Sequence, residues 1–188
     1  MVKVQYFTAC TLDGFIADED NSLDWLFEAP HHPDDHFWDE WFPTVGGLVW
    51  GATTYEGHIE RSGLGADSWR EYFGDRPNWI FSHHELPLVP EIDLRVVEGD
   101  VRPVHAEAQR EIGDGKSLWL VGGGDLVGQF YDAGLLDELI IEFTPVTLGR
   151  GAPVLPRRIT SKHLAFRDSN LVSQRLMVRL DVVRTDSN

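Results

Sequence analysis

The sequence contains a turn whose composition suits the binding of an anion. The apolar run at residues 118–121 is followed by three glycines and by a helical pattern that begins at Leu126. Without side chains, the backbone at Gly122, Gly123 and Gly124 could approach a phosphate closely, and the free amides of a helix N-terminus would donate hydrogen bonds to it. A turn that uses glycine only for packing would have the same sequence.

The glycine turn matches neither of two common nucleotide-binding motifs. The dinucleotide fingerprint G-x-G-x-x-G, counted from Gly122, requires a glycine where Val127 stands. The P-loop pattern, counted from Gly123 to Gly128, fails because Gln129 occupies the position of its lysine. The turn therefore indicates anion binding without identifying the ligand.

Two other strand ends carry polar groups of a similar kind. Gly51 is followed by Thr53 and Thr54 at the start of a short helix, and a later apolar strand ends in Ser82 and His83. Hydroxyls, imidazoles and backbone amides at these places could contact phosphate or ribose groups. Threonine is also an ordinary helix cap, so each turn alone is weaker support than the set.

A second group of chemically capable residues is the run H-H-P-D-D-H at residues 31–36, which places five potential metal ligands in six positions. Only His32 and His36 have the i, i+4 spacing of ligands on a helix, and Pro33 interrupts that spacing. A metal-dependent hydrolase is therefore an alternative hypothesis, and the preferred interpretation assigns no metal site. A serine hydrolase is not supported, because the sequence has no G-x-S-x-G motif.

Length and composition limit the class of protein. The chain has 188 residues, of which 42% are hydrophobic, and this indicates one domain (residues 1–188) with an apolar core. Cys10 is the only cysteine, so the chain can form neither an internal disulfide nor a thiolate zinc cluster. No apolar run is long enough to span a membrane and the N-terminus lacks signal-peptide features, so we expect a cytoplasmic protein with no membrane partner.

The net charge narrows the range of partners. The chain has 31 acidic and 16 basic residues, which give a formal charge of −15 at pH 7. Such a charge argues against nucleic acid as a partner, and we expect a small molecule instead. Between Lys3 and Arg61 there is no lysine or arginine, so an anionic ligand must be bound by local groups.

The order of predicted elements supplies the architecture that would position these turns. The predicted strands lie at residues 2–8, 48–50, 79–81, 94–97, 118–121 and 138–144, and the predicted helices follow Pro33 and Thr53 and occupy 103–112 and 126–131. A terminal hairpin is predicted to turn at residues 168–170. Residues 18–33 are predicted to form an ordered loop and residues 62–74 an irregular segment. This alternation predicts an α/β fold with three α/β/α layers and a mostly parallel sheet that has antiparallel C-terminal edge strands.

Four motifs in a fixed order give the chain a family resemblance. They are T-L-D-G-F-I-A at residues 11–17, G-A-T-T-Y-E at 51–56, F-S at 81–82 and V-G-G-G-D-L at 121–126. In this order they resemble the dihydrofolate-reductase-like superfamily. The chain is most similar to the branch that contains the reductase domain of bifunctional riboflavin-biosynthesis proteins and its stand-alone bacterial relatives. The resemblance extends from the first strand to about residue 156 and implies a dihydrofolate-reductase-like fold.

The resemblance also implies a nicotinamide dinucleotide that crosses the carboxyl ends of the strands. Most relatives use NADPH, but Ala52 stands where related reductases commonly carry an arginine for the 2′-phosphate, so NADH is possible. Residues 122–126 would bind the pyrophosphate. The implied cofactor-binding residues are Ala9, Ile16, Gly51, Thr53, Thr54, Ser82, His83, Val121, Gly122, Gly123, Gly124, Asp125 and Leu126.

The activity implied by the resemblance is hydride transfer to a C=N or C=O bond of a small heterocycle, such as a pteridine or a ribosylaminopyrimidine, by a homodimeric enzyme. Asp13 and Asp35 are the candidate catalytic acids. The family position of Asp13 overhangs the nicotinamide, and Asp35 lies sixteen residues before Gly51, where dihydrofolate reductases carry an acid that serves the pterin. A turn at Asp13 and a helix start at Asp35 would explain both residues equally well. A binding module of the same fold without turnover is the alternative function.

Overall fold

The elements are described from a computed structural model that covers residues 1–28, 37–63 and 65–184. The strands are β1 (Lys3–Thr11), β2 (Phe15–Ala17), β3 (Val45–Gly51), β4 (Asn78–Phe81), β5 (Leu94–Val97), β6 (Ser117–Gly122), β7 (Glu138–Thr144), β8 (Ala152–Pro153), β9 (Leu164–Val172) and β10 (Arg175–Val182). The helices are α1 (Asp24–Phe27), α2 (Phe37–Trp41), α3 (Ala52–Ser62), α4 (Ala66–Phe73), α5 (Val101–Glu111) and α6 (Gly124–Asp132), and Phe42–Thr44 forms a 3-10 turn.

Eight strands form the central sheet in the order β5-β4-β3-β6-β1-β7-β10-β9. The pairs from β5 to β7 are parallel, whereas β10 is antiparallel to both β7 and β9. Strands β2 and β8 pair with each other in a separate small sheet. This topology confirms the predicted mostly parallel sheet with antiparallel C-terminal edge strands.

Apolar side chains cover both faces of the sheet, as a largely parallel sheet requires. On one face, Tyr6 and Leu120 are buried in a cluster with residues of α5 and α6. On the other face, Trp50 and Trp119 are buried in a cluster with residues of α2, α3 and α4. The sheet is therefore the middle of three layers, and its carboxyl edge is the place where the layers leave room for a ligand.

Helix α4 corrects the prediction that residues 62–74 are irregular. Trp69 and Phe73 are four residues apart on this helix, and both are buried. Their ring centroids lie 5.5 Å and 5.0 Å from that of Trp50. The aromatic pair at helical spacing packs onto the sheet, and this packing outweighs the effect of the glycines around the segment.

The turn of the C-terminal hairpin is also displaced from its predicted place. Residues 168–170 pair with β10 inside strand β9, and the chain reverses at Ser173 and Gln174, with a φ of +55° at Ser173. Most side chains of β9 are exposed, so this edge strand tolerates the polar residues that the sequence pattern assigned to a turn.

The described part of the predicted loop at residues 18–33 contains the short helix α1. Trp25 is buried, as docking of this segment predicts, whereas Phe27 is exposed. Helix α2 ends at Trp41, which agrees with a predicted helix end before Pro43. Residues 29–36, which include Asp35 and the H-H-P-D-D-H run, lie outside the described residues. Among the helices that are described, none has the length and apolar character needed to cross a bilayer.

Candidate active site

A cleft of about 860 Å³ lies at the carboxyl edge of the parallel strands. Open α/β sheets bind ligands at this edge, and the volume is within the usual range of ligand pockets. Lining residues come from the ends of β1, β3, β4, β5 and β6 and from the first turns of α3 and α6. The topology therefore brings the three polar turns of the sequence to one place.

The glycine turn between β6 and α6 has two residues with different roles. A β-carbon at Gly124 would overlap the backbone carbonyl oxygen of Pro153, so packing of the main chain requires glycine there. A β-carbon at Gly123 would lie 3.8 Å from Thr54 Oγ1 and 3.9 Å from Ile16 Cδ1, which are ordinary contacts. Thr54 and Ile16 both line the cleft. The missing side chain at Gly123 therefore leaves space for a ligand, whereas the one at Gly124 does not.

The start of α6 offers backbone donors next to this space. The first helical bond runs from the amide of Val127 to the carbonyl of Gly123, at 3.2 Å, so the amides of residues 124–126 precede it. Asp125 lies in the same first turn. Its carboxylate accepts hydrogen bonds from Gln129 and from Arg157, at 3.2 Å and 3.1 Å, and these bonds lower its pKa. Arg157 thus offsets part of the negative charge at the helix end where an anion would bind.

The turn between β3 and α3 is in direct contact with the glycine turn. A β-carbon at Gly51 would lie 3.1 Å from the amide nitrogen of Gly123 and 3.2 Å from the carbonyl oxygen of Gly122. The peptide between Gly122 and Gly123 is cis. Gly51 itself is the N-cap of α3, and no side chain caps this helix. Thr53 and Thr54 are therefore not helix caps, and both residues line the cleft.

The end of β4 forms the outer, polar part of the cleft. Ser82 is buried, and its hydroxyl donates to the carbonyl of His84 at 2.7 Å and accepts from the amide of His84 at 3.1 Å. His83 is exposed, and its Nδ1 lies 4.0 Å from Oε2 of Glu98, the residue that follows β5. Ser82 shapes the turn, and the side chains of His83 and Glu98 are presented to the cleft and to solvent.

The opposite part of the cleft is aromatic. Phe7 of β1, Trp119 of β6 and Trp38 of α2 all line it. The ring centroids of Trp38 and Trp119 are 5.5 Å apart, and those of Phe7 and Trp119 are 6.2 Å apart. Trp50 and Phe73 extend the same wall. Walls of this kind favour a flat, largely apolar ring.

One buried ion pair interrupts the aromatic wall. Glu142 of β7 and Arg175 of β10 line the cleft, and Oε1 of Glu142 lies 2.8 Å from Nη1 of Arg175. The side chains are 10% and 11% exposed, respectively. Glu142 is the register partner of Ala9. The pair therefore lies beside the position at which the nicotinamide is predicted.

His58 and Arg61 belong to the wall formed by α3. Burial, followed by the nearby charge of Arg61, lowers the pKa of His58 to about 4. The His58 imidazole is therefore neutral at pH 7 and adds polarity without charge. The Arg61 guanidinium lies over the Phe27 ring, 5.9 Å from its centroid, at the aromatic part of the cleft.

Of the two predicted catalytic acids, Asp13 is described by the structure and does not line the cleft. The carboxylate of Asp13 accepts hydrogen bonds from the Thr11 hydroxyl at 2.5 Å and from the Gly149 amide at 2.7 Å. These bonds, of which the bond from Thr11 is the strongest influence, lower the pKa of Asp13. Asp13 therefore ties the loop after β7 to the end of β1. Asp35 lies outside the described residues.

Most predicted cofactor-binding residues lie together in the cleft. Gly122 is buried and does not line the cleft. The residues that line the cleft are Ala9, Ile16, Gly51, Thr53, Thr54, Ser82, His83, Val121, Gly123, Gly124, Asp125 and Leu126.

A metal site finds no support in the part of the chain that the structure describes. Within residues 1–28, 37–63 and 65–184, no three His, Cys, Asp or Glu side chains are grouped so that they could hold a metal ion. The histidine-rich run at residues 31–36 lies outside these described residues.

Comparison with known proteins settles the family. The RibD C-terminal domain matches residues 70–178, which is more than half of the chain. The chain belongs to the RibD C-terminal domain family. Two relatives from Bacillus subtilis, both described as uncharacterized proteins, are YwjB and YyaP. YwjB is 30% identical over 182 residues, which cover 97% of this chain and 98% of YwjB. YyaP is 25% identical over 158 residues, which cover 78% and 76% of the two chains.

Several solved structures have a fold similar to that of this chain. A protein from Shewanella sp. PV-4, described as a riboflavin biosynthesis protein, has a TM-score of 0.76 and 25% identity and covers 98% of this chain and 100% of its own. The Thermotoga maritima deaminase and 5-amino-6-(5-phosphoribosylamino)uracil reductase has a TM-score of 0.67 and 15% identity, and the match covers 97% of this chain and 57% of that one. Dihydrofolate reductase from Enterococcus faecalis, complexed with NADP(H), has a TM-score of 0.64 and 17% identity, with 96% of each chain covered. These likenesses confirm the predicted dihydrofolate-reductase-like fold.

The aromatic and ionic residues of the cleft were not among the site residues that the sequence predicts. Phe7 could have been predicted to line the cleft, because it lies two residues before Ala9 and therefore on the same face of β1. Glu142 could also have been predicted as a site residue, because it is a charged residue inside an otherwise mostly apolar strand. Arg175 gave no such pattern. The helical spacing of Trp38 predicts only an inward-facing side chain, because its place in the cleft depends on the packing of α2.

Proposed function

We propose that this chain is a reductase that uses a nicotinamide dinucleotide to reduce a C=N or C=O bond of a small, flat heterocycle. The observation that carries the proposal is the continuity of one cleft from the open space at Gly123 to the aromatic wall around Trp119. One part suits a pyrophosphate and the other suits the stacked rings of nicotinamide and substrate. The reductase named in the Thermotoga structure and the dihydrofolate reductase complexed with NADP(H) support the same assignment.

The residues present fit such a cofactor. The amides of residues 124–126 and the hydroxyls of Thr53 and Thr54 would bind the pyrophosphate, and Ala9 and Ile16 would border the nicotinamide. When bound, the cofactor supplies the hydride. The chain's own task is to hold two flat groups face to face and to keep water away from them, and the apolar side chains around Trp119 suit that task.

The substrate would be a pteridine-like or ribosylaminopyrimidine-like heterocycle. Glu142 offers carboxylate oxygens inside an aromatic pocket, so it would accept a hydrogen bond from a ring N–H or amino group. Arg175 holds that carboxylate in place. Asp13 is bound to Thr11 and to the loop amides, which keep it ionised. We therefore assign the proton that accompanies the hydride to water rather than to Asp13.

Titration with reduced nicotinamide dinucleotides tests the proposal. We expect quenching of the fluorescence of Trp50 and Trp119, which line the cleft, and loss of the near-ultraviolet absorbance of the dinucleotide when a suitable pteridine, ribosylaminopyrimidine or cyclic imine is added. Saturable binding without oxidation across such a panel would favour the alternative function, a ligand-binding module of the same fold. Absence of any dinucleotide binding would contradict both functions.

We also propose a cytoplasmic homodimer. Its support is the exposed apolar surface on the hairpin of β9 and β10, where Phe166 is 80% exposed and Leu171 is 67% exposed. Strand β9 is the last strand of the central sheet. Exposed apolar residues at a sheet edge favour association with a second chain.

A further inference from the structure

We infer that this site prefers NADH to NADPH, because the end of the cleft that would receive the adenosine ribose presents the carboxylate of Glu98. The inference rests on the proposed function and adds to it the form of dinucleotide that the site takes. It differs from the expectation that the family resemblance raises, which is NADPH.

The two ends of the cleft determine the direction of the dinucleotide. Gly123 lies after β6, near the middle of the cleft. Toward β1 lie Phe7 and Ala9, where the nicotinamide would meet a substrate ring. In the other direction the cleft crosses β3 and β4 and reaches Glu98 and Gly99 after β5. Neighbouring strands are about 4.8 Å apart, so this end lies roughly 14 Å from β6, a distance that an extended adenosine phosphate can span.

The described side chains at the adenosine end suit a ribose hydroxyl better than a phosphate. Glu98 is 66% exposed, and its Oε2 lies 4.0 Å from Nδ1 of His83. Ala52 lines the cleft at the start of α3 and adds no charge, and the Ser82 hydroxyl is engaged in its own turn. Glu98 is thus a hydrogen-bond acceptor beside the place where a 2′-substituent would lie.

The arginines that could reverse this charge lie elsewhere. Arg61 follows Ala52 by nine residues on α3, which is roughly 13.5 Å along the helix axis, and it lies over Phe27 at the aromatic end. Arg102 is paired with Asp100 at 2.9 Å. Within residues 1–28, 37–63 and 65–184, Arg61 and Arg175 are the arginines that line the cleft, and neither is at the adenosine end.

The expected consequence is that the site distinguishes the 2′-hydroxyl of NADH from the 2′-phosphate of NADPH. A carboxylate accepts hydrogen bonds from ribose hydroxyls, and an acidic residue plays this role in other NAD-binding folds, whereas an arginine accommodates the 2′-phosphate of NADP. The same carboxylate repels the 2′-phosphate, and this repulsion is moderated by solvent because Glu98 is partly exposed. We expect NADH to bind at least about tenfold more tightly than NADPH at low salt.

Binding measurements with the full chain test the inference. Calorimetric titrations with NADH and NADPH, and with 5′-AMP and 2′,5′-ADP, isolate the contribution of the 2′-phosphate. Glu98→Gln should reduce the preference for NADH several-fold, and the double variant with Ala52→Arg should reverse it. Glu71→Gln is the matched control, because Glu71 is an exposed residue of α4 that does not line the cleft.

The outcomes separate this inference from the proposed function. If neither dinucleotide binds, the proposed function is wrong. If NADPH binds as tightly as NADH or more tightly, the proposed function stands and the inference about Glu98 is wrong. An unchanged preference in Glu98→Gln would also overturn it, because the discrimination would then arise from another residue.

Discussion

Glu142 and Arg175 form an ion pair inside the cleft, with Oε1 and Nη1 2.8 Å apart. They come from neighbouring antiparallel strands, β7 and β10. Arg175 also donates to the carbonyl of Leu26 at 3.2 Å. One guanidinium therefore links strand β7 to helix α1, and both elements line the cleft.

The first prediction concerns this pair. Glu142→Gln should lower the free energy of unfolding by about 1–3 kcal/mol, because it replaces the carboxylate that faces the Arg175 guanidinium by a neutral amide in a largely buried site. Chemical denaturation measures this loss. Glu19→Gln is the control, since Glu19 pairs with Arg150 at an exposed site and should cost less than about 1 kcal/mol. Equal losses in the free energy of unfolding would show that the pair in the cleft contributes no more to stability than the exposed pair.

The glycine turn gives the second prediction. Gly123→Val should reduce affinity for reduced nicotinamide dinucleotides at least about tenfold, because the added side chain enters the ligand space between Thr54 and Ile16. Fluorescence titration measures the affinity. Gly65→Val is the control, since Gly65 is also an N-cap with extended backbone, at α4, and does not line the cleft. Unchanged binding by Gly123→Val would remove this turn from the site.

The third prediction is that a substitution at Gly124 lowers the stability of the fold, whereas one at Gly123 lowers the affinity for the dinucleotide. Gly124→Ala places a β-carbon against the carbonyl oxygens of Pro153 and Val154. Because backbone atoms cannot move aside cheaply, we expect a loss of about 1–3 kcal/mol in the free energy of unfolding. A denaturation curve superimposable on that of the unmodified chain would contradict this account of the packing.

The fourth prediction is a pH dependence of stability from His58. Its pKa is lowered by burial to about 4, whereas an unfolded histidine titrates near 6.5. The unfolded chain therefore binds the proton first, and stability should fall as the pH decreases from about 6.5 to about 4. Since His58 is only partly buried, we expect its contribution to be about 1–2 kcal/mol.

Denaturation at several pH values measures this contribution. His58→Phe should make the fall in the free energy of unfolding between pH 6.5 and 4 less steep. His163→Phe, the same substitution at a histidine that does not line the cleft, is the control. A His58→Phe curve parallel to that of the unmodified chain would assign the acid sensitivity to other groups.

The fifth prediction concerns assembly. If the hairpin of β9 and β10 forms the dimer interface, Phe166→Ser together with Leu171→Ser should shift the protein toward monomer without loss of fold, because both side chains are exposed in the single chain. Light scattering after size-exclusion chromatography measures the mass. The paired control is Tyr72→Ser, which removes an exposed aromatic from α4. A dimer that survives the double substitution must use another surface.

Local sequence determined the elements that carry the backbone part of the site. Three glycines between an apolar strand and a helix predict the turn at Gly123, because strand and helix patterns and the conformational freedom of glycine are properties of neighbouring residues. The alternation of strands and helices likewise predicted the parallel sheet and placed the strand ends at one edge. Local pattern was insufficient for α4 and for the turn at Ser173, where packing on the sheet and the exposure of an edge strand decide the structure.

The side-chain part of the site depended on tertiary structure. Glu142 and Arg175 are 33 residues apart, and the register of β7 with β10 brings them together. Glu98 reaches one end of the cleft only because β4 and β3 lie between β5 and β6 in the sheet. Strand order and register are fixed by the burial of whole faces of the sheet, a sum over many distant contacts, and so no short window of the sequence contains them.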